Sequence, residues 1–155
     1  MSDNTFTASV FYQDPKAALA WLERAFGFEI TMLIESPDGD VRMMHSEMAV
    51  GGRGRLMVGA EWSEWAKSPR SVGGANTQSL HVDLEEDVDA HCARAREAGA
   101  TIVAEPENQF YGMRTYRAVD PEGHVWTFGE WVEEMPSREA AEKASGLKIE
   151  AKDWD

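Results

Sequence analysis

The sequence contains one cysteine, Cys92, so no disulfide bond can form within the chain. Because Cys92 lies among small residues on a predicted helix, its thiol is expected to be buried and inert. No apolar run approaches the length of about 18 residues that a membrane-spanning helix needs. Residues 1–5 lack the basic and apolar segments of a secretion signal. These absences predict a cytoplasmic protein that does not associate with membranes.

Basic residues are scarce: 15 Lys and Arg stand against 28 Asp and Glu, which gives a formal net charge of −13. Such a charge repels phosphate backbones and argues against nucleic acid as a partner. It keeps the protein soluble and would also attract cationic ligands. The length of 155 residues and the hydrophobic content of 43% are those of one globular domain with a sizeable core.

Common catalytic and nucleotide-binding motifs are missing from the sequence. It has no GxSxG, CxxC, HExxH, P-loop or dinucleotide-binding pattern. The glycine-rich stretch 51–54 precedes a predicted strand rather than a helix, so we interpret it as a loop and not as a phosphate-binding site. Function must therefore be sought in the organisation of the chain.

The chain repeats its own layout. Residues 14–27 read as a capped helix with a glycine stop, and residues 86–99 repeat that pattern 72 positions later. Residues 54–61 and 123–130 match in residue type at an offset of 69. Two copies of one strand–helix–strands module predict a single domain with a ligand groove between matching sheets.

Each copy is predicted to be a βαβββ module within a domain that spans residues 1–135. The tail, 136–155, is acidic and is predicted to hold one short helix at 137–145. Module 1 covers about 6–61, the connector 62–77 and module 2 about 78–131. The predicted strands are 6–12, 28–35, 41–50, 55–60, 79–84, 101–104, 114–119 and 124–131. The predicted helices are 15–26 and 87–98. Module 1 has a hairpin turn at 36–39, and module 2 is predicted to have a longer loop, 105–112, in its place.

Three stretches of the second copy resemble a known family: Leu-His-Val-Asp-Leu at 80–84, Tyr-Gly-Met-Arg-Thr-Tyr-Arg at 111–117, and Val-Asp-Pro-Glu-Gly-His-Val-Trp at 119–126. They resemble the vicinal oxygen chelate superfamily, which includes glyoxalases, bleomycin-resistance proteins and extradiol dioxygenases. The resemblance covers residues 6–131. It implies an α+β fold in which two βαβββ modules form a curled half-barrel with an open groove, usually as a homodimer.

The resemblance also identifies the positions of a metal site. Metal-dependent members take one ligand from the first strand and one carboxylate from the fourth strand of each module. Here those four positions fall on Thr7, Val58, Ser79 and Thr127, none of which is a usual ligand for a divalent ion. The resemblance therefore implies no cofactor. An alternative is a shifted site for one divalent metal ion, built from His81, Glu61 and Glu130.

Side-chain alternation predicts which residues face the groove. His81 is the one predicted groove residue whose charge normally changes near neutral pH, so it could tune binding or act as a general base. Trp62 and Trp65 are expected to cover the groove or to contact a partner. His91 is expected to face solvent or a dimer partner, and His124 is expected to be exposed. The predicted ligand-binding residues are Ser9, Phe11, Ser79, His81, Tyr111, Arg114 and Thr127.

Three functions follow as hypotheses. The first is a protein that binds a small organic molecule, cationic or aromatic, without a metal, as drug-sequestering members of the superfamily do. The second is a metal-dependent lyase, isomerase or dioxygenase that uses His81 and carboxylates. The third is a non-catalytic dimer with a structural or regulatory role. One scaffold hosts many chemistries in this superfamily, so the fold does not choose among them.

Overall fold

The computed structural model describes residues 5–85 and 87–154. Residues 1–4, which were interpreted as lacking a signal segment, and Glu86, which opens the second copy of the repeat, lie outside the described residues. Within the described part, the strands are β1 Ala8–Tyr12, β2 Glu29–Ile34, β3 His45–Val50, β4 Gly54–Ala60, β5 Ser79–Asp83, β6 Thr101–Asn108, β7 Met113–Val119 and β8 Val125–Trp131, and the α-helices are α1 Pro15–Phe26, α2 Val88–Glu97 and α3 Arg138–Ser145.

The strands form two four-stranded sheets with the same internal order. The first sheet runs β1-β4-β3-β2 and the second runs β5-β8-β7-β6. In each sheet the first strand pairs in parallel with the fourth, and the other pairs are antiparallel. The predicted α+β fold with two tandem βαβββ modules is therefore confirmed, and neither sheet closes into a barrel.

Helix α1 begins and ends at the residues that the sequence indicates. The side chain of Asp14 accepts a hydrogen bond from the backbone N–H of Ala17 at 3.0 Å, which satisfies a donor that the first turn leaves free. Gly27 ends the helix in the left-handed conformation, with φ of 70°, which glycine adopts at little cost. Helix α2 is capped in the same way by Asp87. These caps fix where each helix leaves its sheet.

One hydrophobic core joins the two modules. Phe26, at the end of α1, packs against Trp126 and Phe128 of β8, with ring centroids 5.5 Å and 4.6 Å apart. Leu22 is fully buried in this core, where burial of such a side chain contributes about 1.5–3 kcal/mol. The core also contains Val10, Val82, Val88, Cys92 and Ala95, and Leu84 packs against it.

A buried carboxylate of module 2 holds the start of α1. Glu122 accepts hydrogen bonds from the backbone N–H groups of Gln13 at 2.7 Å and Asp14 at 3.1 Å. It also accepts a bond from the hydroxyl of Ser68, at 2.7 Å, in the connector. The turn that contains Glu122 therefore positions both the end of β1 and the connector.

Some sequence predictions were wrong. Strand β6 continues to Asn108, although residues 105–112 were predicted to be a loop, because Pro106 lies on an edge strand where no ladder donor is required. Strand β3 starts at His45 rather than at 41, since Asp40 caps a short 3₁₀ helix at Val41–Met43. Helix α3 lies in the predicted tail. None of the described helices is long and apolar enough to cross a membrane.

Candidate functional site

A cavity of about 880 Å³ opens between the first module, the connector and strand β5. This volume lies within the range of small-molecule sites, about 300–1,000 Å³. Within the described part of the chain, its lining includes no Asp, Glu, Lys or Arg. The lining is formed mainly by aromatic rings, uncharged polar groups and two methionines: Phe6, Thr7, Ser9, Phe11, Met44, His45, Met57, Trp62, Trp65, Gln78, Ser79 and His81.

Alternation along β1 and β5 separates the core from the cavity. On β1, Val10 and Tyr12 are buried, whereas Ser9 and Phe11 line the cavity. Successive side chains of a strand point to opposite faces, so the apolar residues that pack on the helices alternate with the residues that a ligand could contact. This is the reason why the polar and aromatic residues of β1 share one face.

Two tryptophans of the connector cover one side of the cavity. The ring of Trp65 lies edge-on to Phe11, with centroids 5.8 Å apart, and Trp62 lies edge-on to Trp65 at 4.8 Å. Such edge-to-face pairs are favourable for aromatic rings. Trp62 and Trp65 are nevertheless 54% and 68% exposed, so their faces remain available to a ligand.

Each module contributes one imidazole with a neighbouring carboxylate. His81 Nε2 lies 3.1 Å from Asp83 Oδ1, and His45 Nε2 lies 3.6 Å from Glu47 Oε1. Glu47 also forms an ion pair with Arg55 at 2.8 Å. Both imidazoles line the cavity and both carboxylates lie outside its lining. The cavity therefore presents two imidazoles, each with a carboxylate two residues along the same strand.

The cavity brings together four of the predicted ligand-binding residues: Ser9, Phe11, Ser79 and His81. Thr127 lies beside His81 in the register of β5 and β8, but its hydroxyl accepts a hydrogen bond from Arg117 Nε at 3.1 Å, and it is not part of the cavity lining. Tyr111 is also absent from the lining and packs edge-on against Phe110, at 5.2 Å.

Arg114, which was predicted to face the groove, does not line the cavity. Its guanidinium forms two hydrogen bonds, at 2.7 and 2.9 Å, with Asp89 of α2, and a third with Asn108. The hydrogen bond from Arg114 holds the pKa of Asp89 below its usual value. Arg114 shares the face of Tyr116, as alternation predicts, but Tyr116 faces the helix, where its hydroxyl lies 2.6 Å from His91 Nδ1. Arg114 is therefore a structural residue of the helix side.

His91 and His124 are buried rather than exposed. Besides its contact with Tyr116, His91 places Nε2 3.0 Å from the carbonyl oxygen of Phe26, so it links α2 to the end of α1. His124 Nε2 lies 2.8 Å from the carbonyl oxygen of Phe11. Both imidazoles thus connect the modules, which explains their burial.

The strand register corrects one of the four positions that the resemblance assigns to a metal site. Val58 pairs with Val10 and is fully buried in the core. In module 2, Thr127 pairs with His81, and the residue with the corresponding place in module 1 is Met57, which pairs with Ser9. Ser9 and His81 are 72 positions apart, but Met57 and Thr127, their partners on the fourth strands, are 70 apart. The repeat offset of the fourth strands is therefore 70 rather than 69.

The groove positions do not fit a divalent metal ion. With Met57 in place of Val58, the implied positions are Thr7, Met57, Ser79 and Thr127, and none of them is a usual ligand for a divalent ion. His81 also lines the cavity, but it offers only one imidazole. Across residues 5–85 and 87–154, no group of three or more His, Cys, Asp and Glu side chains could hold a metal ion. We therefore derive no chemistry through a metal in this protein.

The carboxylates of the alternative metal site have other partners. Glu61 accepts a hydrogen bond from the backbone N–H of Ser68 at 2.9 Å. Burial of the Glu61 carboxylate alone would raise its pKa, but hydrogen bonds from Ser71 and Ser68 lower the pKa below its usual value. Glu130 accepts a bond from the backbone N–H of Val88 at 2.9 Å, at the start of α2. The structure does not bring Glu61, Glu130 and His81 together as one site.

Sequence reasoning missed several residues of the lining, among them Met57, Gly59 and Gln78. Met57 and Gly59 lie on the same face of β4, whereas the repeat offset of 69 selected Val58, on the other face. The alternation of the strand itself, with Leu56, Val58 and Ala60 buried, carries the signal that would have found them. Gln78 lies just before β5, and no sequence signal identifies it.

A family model described as the Glyoxalase/Bleomycin resistance protein/Dioxygenase superfamily matches residues 5–128. Among curated proteins, the uncharacterized protein Mb0911c of Mycobacterium bovis is 30% identical over 126 residues, which cover 79% of this chain and 80% of that protein. The uncharacterized protein Rv0887c of Mycobacterium tuberculosis is also 30% identical, over 79% of this chain and 71% of its own length.

Solved structures show the same architecture. TioX from Micromonospora sp. ML1 is 31% identical, with a TM-score of 0.61 over 86% of this chain and 100% of TioX. TnmS3 from Streptomyces sp. CB03234, described as an antibiotic binding protein, is 24% identical, with a TM-score of 0.61 over 84% of this chain and 98% of TnmS3. At this identity the likeness to TnmS3 shows the fold alone.

Proposed function

This chain belongs to the Glyoxalase/Bleomycin resistance protein/Dioxygenase superfamily, and on that premise we propose that it binds a planar, cationic organic molecule in its cavity without a metal. The observation that carries the proposal is the lining itself. Phe11, Trp62 and Trp65 supply three aromatic rings at one side of a cavity of about 880 Å³. Apolar surface of this kind supplies affinity, while a few polar groups orient the ligand.

The charge of the protein favours a cation. A formal net charge of −13 attracts cations to the surface, and the exposed faces of Trp62 and Trp65 can bind a desolvated cation with about 0.5–2 kcal/mol each. Ser9, Ser79 and Gln78 offer hydroxyl and amide groups that can accept hydrogen bonds from an amine. A ligand held by these side chains needs no bound metal ion.

The family and fold support a binding role. TnmS3, a protein with this fold, is described as an antibiotic binding protein, so the scaffold can hold a small organic molecule without a change of architecture. We carry this role to the present chain as a proposal, on the strength of its own aromatic cavity.

The proposal is tested with two ligands that share one ring system and differ in charge: 9-aminoacridine, a cation at neutral pH, and acridine-9-carboxylate, an anion. Isothermal titration should show one site per chain for 9-aminoacridine, with much weaker binding of the anion. Trp65→Ala should weaken the cation's binding, because it removes one aromatic face. Absence of binding by the cation, or equal binding of both ligands, would contradict the proposed function.

We also propose that the protein is a homodimer. Strand β2 and the 3₁₀ helix after it form an exposed apolar edge, and edges of this kind are rarely left bare in a monomer. Light scattering after size exclusion should give twice the chain mass of 17.3 kDa, and a monomer at all concentrations would contradict the proposal. The apolar residues of this edge are Met32, Leu33, Ile34, Val41 and Met43.

A further inference from the structure

Gly59 lies on the cavity face of β4, between strands β1 and β3. In the register it pairs with Phe11 on one side and with His45 on the other, and all three residues line the cavity. A Cβ atom added at Gly59 would meet only the ring of Phe11, at an ordinary contact distance of 3.7 Å. The space above this glycine is therefore open, and its backbone forms part of the cavity floor.

The second module shows what happens when the equivalent space is filled. Gly129 has the corresponding place on β8, where it pairs with Asp83 and Thr115. A Cβ atom there would lie 2.7 Å from Met113 Cε and 3.1 Å from Thr115 Cγ2, so neighbouring side chains already occupy the space. Side chains of β7 therefore fill the space over Gly129, whereas the space over Gly59 is open to the cavity.

We propose that Gly59 determines the size of ring that the cavity accepts, because a flat ring rests on its bare backbone beside Phe11. Glycine within a strand often marks a close approach of a ligand to the backbone. The inference rests on the proposed function and adds the residue that limits the ligand. A methyl group at position 59 lifts a wide ring away from the floor but leaves room for a narrow one.

The experiment uses three cations that share an aminopyridinium core: 4-aminopyridine with one ring, 4-aminoquinoline with two and 9-aminoacridine with three. Affinities are measured for the wild type, Gly59→Ala and Gly59→Val. The wide ligand should lose about tenfold or more in Gly59→Val, the range that one or two misplaced methyl groups produce in a pocket. The one-ring ligand should bind nearly as it does to the wild type.

Gly59→Ala is expected to fold normally, because the glycine lacks a positive φ and its added Cβ meets no short contact. Gly59→Ala should lose less affinity than Gly59→Val, and its loss should again be greatest for the three-ring ligand and least for the one-ring ligand. Ala49→Val is the matched control: it adds volume on β3 at a position that does not line the cavity. This variant should bind all three ligands as the wild type does.

The outcomes separate this inference from the proposed function. If Trp65→Ala weakens 9-aminoacridine but Gly59→Ala and Gly59→Val do not, the role of Gly59 is wrong and the proposed function stands. If neither Trp65→Ala nor the Gly59 variants change binding, the ligand lies elsewhere and both are wrong. An equal loss for all three ring sizes would also overturn the role of Gly59 as a size determinant.

Discussion

The phenolic hydroxyl of Tyr12 donates a hydrogen bond of 2.6 Å to Oδ2 of Asp120. Tyr12 ends the first strand of module 1, and Asp120 begins the turn between β7 and β8 of module 2. The same carboxylate accepts bonds from Trp126 Nε1 and from the backbone N–H groups of Glu122 and His124. One buried carboxylate thus satisfies four donors and ties the modules together at the C-terminal end of β1.

Asp120→Ala should lower the free energy of unfolding by about 3 kcal/mol or more, because it leaves buried donors without an acceptor. Urea denaturation followed by tryptophan fluorescence measures this loss. Asp153→Ala, which removes an exposed carboxylate near the end of the chain, is the control and should change stability little. A loss for Asp120→Ala no larger than that of the control would contradict the network's role.

Alkaline pH should destabilise the protein through its buried tyrosines. Burial, together with Asp120, raises the pKa of Tyr12 well above the usual value of about 10, and burial also raises the pKa of Tyr116. The unfolded chain loses these protons near pH 10 while the folded protein keeps them, so stability is full below about pH 10 and falls as pH rises further.

Melting temperatures between pH 8 and pH 11 test this expectation, with tyrosinate absorbance recorded at the same time. The fall of melting temperature above about pH 10 should be shallower in Tyr12→Phe than in the wild type, because one of the two groups is gone. If Tyr12 and Tyr116 ionised at a pH at which the protein is still folded, burial would not be what raises their pKa values.

Arg114→Ala should leave the affinity for 9-aminoacridine unchanged. The guanidinium binds Asp89 and Asn108 on the helix side of the sheet and does not line the cavity. Titration calorimetry of this variant beside Trp65→Ala distinguishes the two faces. If Arg114→Ala weakened binding as strongly as Trp65→Ala does, the ligand would have to contact the helix side.

Protein purified without a histidine tag should contain no stoichiometric divalent metal. The implied ligand positions Thr7, Met57, Ser79 and Thr127 offer no imidazole or carboxylate. Elemental analysis by mass spectrometry measures Ni, Zn, Mn and Fe per chain. One equivalent of any of these metals, lost on His81→Ala, would show that the groove holds a metal site that includes His81.

The repeat and the helix caps could be predicted from sequence because their signals are local. Asp14 caps α1 through a contact three residues away, and Gly27 stops it through its own backbone conformation. The contact of Glu122 with Gln13 joins residues 109 positions apart, and no local pattern encodes it. Interactions between modules depend on tertiary packing, so they became visible only in the structure.

The candidate site was predictable in part for the same reason. Alternation along β1 and β5 placed Ser9, Phe11, Ser79 and His81 on one face, and the cavity contains all four. The choice of face on β4 depends on its register with β1, which the sequence does not state. A shift of one position exchanges the core face for the cavity face, so the sequence assigned the implied metal position to Val58 instead of Met57.

The central claim is that an aromatic ligand binds against Phe11, and the most direct measurement compares affinity and stability in Phe11→Ala. Titration with 9-aminoacridine should show a loss of about tenfold or more, since a large aromatic contact is removed, while the melting temperature changes little. Phe110→Ala, which truncates a phenylalanine outside the cavity lining, should retain wild-type affinity. Full affinity in Phe11→Ala would mean that the ligand does not contact Phe11, and a loss of affinity only in step with stability would mean that Phe11 belongs to the core; either result contradicts the claim.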